Sequence, residues 1–321
     1  MRSGARYLLW LVSAIGLPAA STDYALGESL RQLGLRDAPR QAGDGRGAER
    51  YASPGGLGLY ADFSRDHIIV DGAKVMLQDP LGSLRGHLTL SKRDYDKVFV
   101  PLFWARPAMA QRILIDPGHG GKDSGKVSTF LRHTEKAATL DTAIRLRQLL
   151  EKQGLTVLLT RTKDDFVELD DRAALAKKLA ADLFVSLHFN SGPAGDASAD
   201  GIETYCLTPA GQRSTNAGRG RASLTTEPGN RFDSSNLLLA WSVQRRMIRA
   251  TGADDRGVRR ARFSVLRTLP CPGVLIEGGF MSNRKEGGLI ADGAHRQKLA
   301  EAIAAGILDY VRRASPPTKA R

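Results

Sequence analysis

The chain has little cysteine, only Cys206 and Cys271 in 321 residues. Neither stands in a C-x-x-C or other metal spacing, so a zinc ribbon, a redox pair and a disulfide framework are excluded, and a structural role, free or paired, remains. Aromatics make up 6% of the residues and do not interleave with a basic stripe. That argues against a nucleic-acid surface, although 47 Lys and Arg outnumber 34 Asp and Glu and the formal charge is +13. After residue 20 no apolar run approaches the ~20 residues of a spanning helix. Two phosphate-binding signatures are also missing. In "ILIDPGHGGKDSG", residues 113–125, Asp116 stands where a P-loop needs its first glycine. Asp123 stands where that loop needs Ser or Thr, and where the dinucleotide fingerprint needs its third glycine.

What is present begins at the N-terminus. Arg2 and Arg6 precede "YLLWLVSAIGLPAA", which has the charged, apolar and small-residue sections of a secretory signal over 1–20. An exported protein of the periplasm or cell envelope is expected, with no stable membrane span once the signal is removed. Much of the basic excess lies in segments expected to be loops or tails, and the envelope is the natural anionic partner.

Residues 21–57 have weak periodicity and read as a linker. A small β-rich module is expected over 58–105, with Asp71-Gly72 turning a hairpin in "HIIVDGAKVML". It offers no paired acids or metal spacing, and His67 and His87 are expected at its surface. From 106 to 315 strands expected at 112–116, 155–160, 182–188, 201–206 and 273–277 alternate with helices. This pattern specifies an α/β domain of three layers, a mainly parallel sheet flanked by helices, followed by a tail at 316–321. Leu140, Ala143, Ile144 and Leu150 are expected on one helix's buried face, and Leu169, Ala173, Ala176 and Leu179 on the next. The polar stretch 207–235, with Arg213, Arg219 and Arg221, is a long loop. It follows the strand after His188, so it is expected to overhang the edge where the chemistry lies.

Four groups stand at strand ends or helix starts: His119 after the first strand, Glu135 opening the first helix, His188 closing the third strand and Glu277 closing the last. Ligands of open α/β sheets gather at the carboxyl ends of strands. Two imidazoles and a carboxylate leave a fourth position for water, the ligand set of catalytic zinc, and a second carboxylate can take that water's proton. Asp116 and Asp123 are expected to support the histidines or to bond the loop.

The blocks "ILIDPGHGGKDSG", "EKAATLDTAIRLRQLLEKQGLTVLLTR", "DRAALA", "DLFVSLHFNS", "DDRGVRRARFSVLR" and "PCPGVLIEGGFMSN" occur in this order. Over residues 112–312 the chain resembles the zinc-dependent N-acetylmuramoyl-L-alanine amidases of type 3. The resemblance implies that His119, Glu135 and His188 bind one zinc ion and that Glu277 acts on the water. It implies a peptidoglycan substrate, cleaved between N-acetylmuramic acid and the L-alanine of the stem peptide, and leaves room for a regulatory activator protein. Three departures stand out: His133, two residues before Glu135; Lys177, where the family often has Asn; and the Gly278-Gly279 pair, expected to loosen a loop behind Glu277. Two rivals remain. A carboxypeptidase-like zinc peptidase would need an arginine clamp, for which Arg172 and Arg259 are available. A non-catalytic peptidoglycan-binding module would lack a ligand or Glu277.

Overall fold

The N-terminal part is built of short strands: β1 (Asp23–Ala25), β2 (Arg36–Asp37), β3 (Glu49–Ala52), β4 (Gly58–Ala61), β5 (His67–Val70), β6 (Ala73–Met76), β7 (Gly82–Leu84) and β8 (His87–Ser91). Helix α1 (Leu26–Gln32) follows β1, and α2 (Lys92–Asp94), a π turn and α3 (Val100–Phe103) close the unit. The computed structural model describes residues 23–314 apart from 129–130, 132, 194–195 and 217–220. The expected signal at 1–20, the tail at 316–321 and Arg219 therefore lie outside the described residues. The β5–β6 hairpin turns at Asp71 and Gly72 as expected, both with the positive φ of a type I′ turn. The linker expected over 21–57 is folded instead: Leu26, Leu30, Leu35 and Tyr51 are buried, and β3 pairs with β4. Its apolar residues are few and fall in elements of two to seven residues, too short to show a period. His87 is exposed, while His67 is half-buried beside Asp66.

The remainder alternates as β9 (Arg112–Pro117), α4 (Glu135–Glu151), β10 (Thr156–Leu159), α5 (Leu169–Lys178), β11 (Leu183–Asn190), β12 (Ile202–Leu207), α6 (Asp233–Thr251), β13 (Asp255–Ala261), α7 (Ser264–Arg267), β14 (Gly273–Phe280), α8 (Arg284–Ala291) and α9 (Gly293–Ala314). Strands β10, β9, β11 and β14 run parallel, β12 lies antiparallel to β14, and β13 is parallel to β12. The sheet then continues into the N-terminal strands. Val258 of β13 pairs with Val75 of β6, giving one eleven-stranded sheet in the order β10-β9-β11-β14-β12-β13-β6-β5-β4-β3-β2. Strands β1, β8 and β7 form a separate sheet. The α/β architecture is as expected.

Helices α4, α6 and α9 bury one face of the C-terminal half of the sheet against Ile113, Ile115, Val185 and Leu187, in a core shared with Leu59, Ile68 and Val70 of the N-terminal strands. On the other face α5 and α7 cover Leu114, Phe184 and Leu275. Helix α4 buries Ala138, Thr142, Ala143, Leu146 and Leu150 and leaves Ile144 exposed, so its inner face is rotated from the expected one. On α5 Ala173 and Ala176 are buried as expected, but Leu169 is exposed. Cys206 and Cys271 are both free and buried; burial pushes their thiols up to about 11 and about 12.

The 207–235 loop does not leave the sheet at the edge expected. Because β12 runs against β14, Leu207 ends at the sheet edge where Gly273 begins, away from Glu277. The loop packs on the N-terminal unit, where Arg213 bonds the Gln78 carbonyl at 3.0 Å and pairs with Asp79.

Candidate active site

Strand β9 ends at Pro117 and the loop turns at once through His119, whose φ of 62° lies in the left-handed region. A non-glycine residue there is costly and persists only when its surroundings fix it. Here two buried arginines do so. Arg172 donates to the carbonyls of Pro117 at 3.0 Å and His119 at 2.9 Å. Arg161 donates to those of Pro117 at 3.0 Å and Gly118 at 2.9 Å. Arg172 is neutralised by the buried Asp116 at 2.7 Å, which also accepts from Thr160 and Ser186. Asp116 therefore supports His119 through an arginine rather than directly. Gly118 is required by close approach: a Cβ there would lie 2.3 Å from His188 Cε1.

His119 Nε2 lies 2.9 Å and His188 Nδ1 3.0 Å from the same oxygen, Glu135 Oε1. The three ligand atoms lie within 4.8 Å of one another, the grouping of His, Cys, Asp and Glu that could hold a metal among the described residues. Asp123 Oδ2 lies 2.8 Å from His119 Nδ1, an arrangement that turns the Nε2 lone pair inward, and its Oδ1 accepts from Gly125 N. Asp123 thus serves both roles expected of it. The Glu135 oxygens also accept from the backbone N–H groups of Phe189 and Lys126. Burial pushes Glu135 up, but the hydrogen bonds and charges of His119 and His188 outweigh it and hold the carboxyl well below its usual range. His119 is lowered by burial and raised more by Glu135 and Asp123. The donors suit zinc: two imidazole nitrogens and one ionised carboxylate oxygen converge on one point.

Glu277 pairs in register with His188 on β11 and with Glu203 on β12, so the three residues form a row across the sheet. Its Oε2 is buried without a hydrogen-bond partner. Burial, then the charges of Glu135 and Glu203, raise its carboxyl well above the ordinary value. Gly278-Gly279 is a bulge inside β14, not a loop: between the pairs His188–Glu277 and Asn190–Phe280, the single residue Phe189 of β11 faces both glycines of β14. Gly279 has φ of 132°, and a Cβ on Gly278 would meet the Phe189 ring at 2.9 Å. His133 stands outside the metal group, with Arg296 and Asp141 as its charged neighbours.

Sequence reasoning missed the network beside this row. Glu203, 2% exposed, accepts from Asn190 Nδ2 at 2.7 Å and Tyr205 OH at 2.9 Å on Oε1, and from Arg256 Nε at 3.0 Å and Arg259 Nη1 at 2.8 Å on Oε2. The available signal was a glutamate in the uncharged run "GIETYC". Both arginines weighed as a clamp are committed, Arg172 to Asp116 and Arg259 to Glu203. A cavity of about 330 Å³ beside His119 and His188 is lined by Phe166, Glu168, Leu169 and Val265.

Residues 113–309 match the family model for N-acetylmuramoyl-L-alanine amidase, Amidase_3. The N-acetylmuramoyl-L-alanine amidase LytC of Bacillus subtilis is 32% identical over 206 residues, 64% of this chain and 36% of LytC. The chain thus spans about a third of the length of such curated relatives. Among solved structures, the N-acetylmuramoyl-L-alanine amidase of Clostridium difficile 630 aligns with a TM-score of 0.53 and 32% identity, covering 66% of this chain and all of that one. The CwlD amidase of Clostridioides difficile, solved in complex with the GerS lipoprotein, aligns with a TM-score of 0.53 and 26% identity, covering 63% of this chain and 98% of that one. With the matched segment holding the metal group and the unpartnered Glu277, the chain belongs to the N-acetylmuramoyl-L-alanine amidase family.

Proposed function

We propose that the chain is a zinc-dependent peptidoglycan hydrolase of the cell envelope, exported by the signal at 1–20. It cleaves the amide between N-acetylmuramic acid and the L-alanine of the stem peptide. The observation that carries this reading is the convergence of His119 Nε2, His188 Nδ1 and Glu135 Oε1 beside Glu277 Oε2, a buried oxygen with no partner. A buried polar atom left unpaired is costly and calls for a functional reason. Zinc, held by the two histidines and Glu135, supplies Lewis acidity toward water and the scissile carbonyl. Glu277 accepts the proton of the attacking water and passes it to the leaving amine nitrogen. Asp123 and the two buried arginines keep His119 aimed. The Phe166–Leu169 segment and Val265 shape the cavity in which substrate meets these groups. A protein partner is a further part of the proposal, supported by the lipoprotein complex of the structural neighbour.

Glu277→Gln keeps size but cannot accept a proton. It is expected to fold, keep its zinc and lose turnover by roughly two or more orders of magnitude. Mass analysis of fragments released from purified sacculi identifies the bond cut; stem peptides not ending in a free L-alanine amine would sink the proposal. Glu277 must be ionised to act, so activity falls as pH drops through its pKa. Because that pKa is raised, the acidic limb of kcat/KM is expected above the ~4.3 of an ordinary glutamate.

A further inference from the structure

Glu203 and Glu277 stand directly opposite on the antiparallel pair β12–β14, where side chains share one face with Cβ atoms roughly 5 Å apart. Two buried acids so placed are treated very differently. Glu203 is saturated, each oxygen receiving two hydrogen bonds, and it takes the guanidinium groups of both Arg256 and Arg259 on Oε2. Glu277 Oε2 receives none. Both arginines come from β13, which lies beside β12, so Glu203 stands between them and Glu277. One further strand spacing, about 4.8 Å, separates them from the next carboxylate.

We propose that Glu203 is a positioning residue that holds Arg256 and Arg259 on its own carboxylate and so keeps them from pairing with Glu277. Saturation of its oxygens leaves Glu203 unable to act as base or ligand itself. Guanidinium groups favour carboxylate partners in dry surroundings. With Glu203 neutral, the two cations, held otherwise by the Asp200 and Thr215 carbonyls, would have Glu277 as the neighbouring carboxylate across the strand pair. An arginine-paired Glu277 would no longer be free to take the proton of water. Tyr205 OH and Asn190 Nδ2 fix the other oxygen, so the carboxylate cannot swivel away from the arginines. The inference rests on Glu277 being the base.

The test compares four proteins for turnover, KM, zinc content and melting temperature: wild type, Glu203→Gln, Arg256→Gln/Arg259→Gln, and the triple variant with all three changes. Glu203→Gln is expected to bind zinc and to lower kcat roughly tenfold or more, with KM little changed. Removing the arginines as well is expected to restore kcat to within about threefold of the arginine double variant. A merely structural glutamate would show itself in the melting temperature, which would fall in Glu203→Gln and recover in the triple variant. Loss of kcat at little-changed melting temperature is what marks the positioning role. Wild-type kcat in folded Glu203→Gln, or a triple variant as impaired as that single, would overturn the proposal. If the single variant does not fold, the triple alone decides, since folded and inactive protein refutes the inference. Glu277→Gln measured in parallel separates the two readings: full activity there removes the base assignment itself, whereas its loss beside a normal Glu203→Gln removes only the role of Glu203.

Discussion

Two polar loops leave the sheet at opposite edges, one over 118–125 and one over 208–227. Both set glycines among charged and hydroxylic residues, four in eight residues of the first and three in twenty of the second. In the first, the glycines allow contact: Cβ atoms on Gly118 and Gly125 would lie 2.3 Å from the His188 ring and 2.6 Å from the His119 ring. In the second, Gly211 has φ of 76° and nothing within 4 Å of a Cβ, so it serves a turn only. The first loop is held by buried arginines that grip its carbonyls. The second is held to the N-terminal unit by Arg213, to β13 by the Thr215 N–H on the Arg260 carbonyl, and to the residue after β13 by Arg262, which donates to the carbonyl of Gln212. The difference teaches that a strand's direction, more than a loop's composition, decides whether the loop meets the chemistry.

The same substitution in both loops breaks or sharpens this contrast. Gly118→Ala has the largest expected effect. The new methyl must displace the His188 ring, and a misplacement of about 1 Å in such a site costs on the order of 100-fold in rate. Zinc content and turnover should fall together while the protein stays folded; normal values would mean the ring tolerates the displacement. Asp123→Asn comes next. It keeps the shape of the loop but weakens the partner that sets the His119 tautomer, and roughly 10–100-fold in zinc affinity is expected to be lost. Competition with a chelator measures this, and unchanged affinity would reduce Asp123 to a loop-bonding role. Gly211→Ala should do least. The left-handed backbone costs it roughly 1–2 kcal/mol of stability, visible in denaturant unfolding, and turnover should not change. A fall in turnover would show that the far loop reaches the site after all.

The group that could hold a metal was legible because each of its residues stands at or near an element boundary, where a polar residue interrupts an apolar run or opens a helix. The parallel strands were legible for the same reason, as apolar runs too uniform for loops. Strand β13 was not, because "DRGVRRA" carries arginines that a solvated loop would also carry. Arg260 is buried there only because Gln212 and the Lys97 carbonyl receive its guanidinium, and both partners are distant in sequence. The reversal of β12 was hidden as well, since side-chain alternation is the same for a strand run in either direction. That one missed direction put the 208–227 loop at the wrong edge. Burial of Leu26 and Leu30 depends on strands far along the chain, so the first segment looked like a linker.

The continuation of the sheet from β13 into β6 also bears on how the chain folds. Lys74 N donates to Asp255 Oδ2 across 181 residues of sequence, and Trp241 Nε1 to the Val70 carbonyl across 171. Pairings so distant must await synthesis of most of the protein, and closure between remote segments slows folding. Until β13 arrives, β6 presents an open row of backbone donors and acceptors, a template for pairing with another chain. The finished fold has no such edge there, but the growing chain does. Aggregation during refolding should therefore be strongest in fragments that end before Asp255, and should fall once β13 is included.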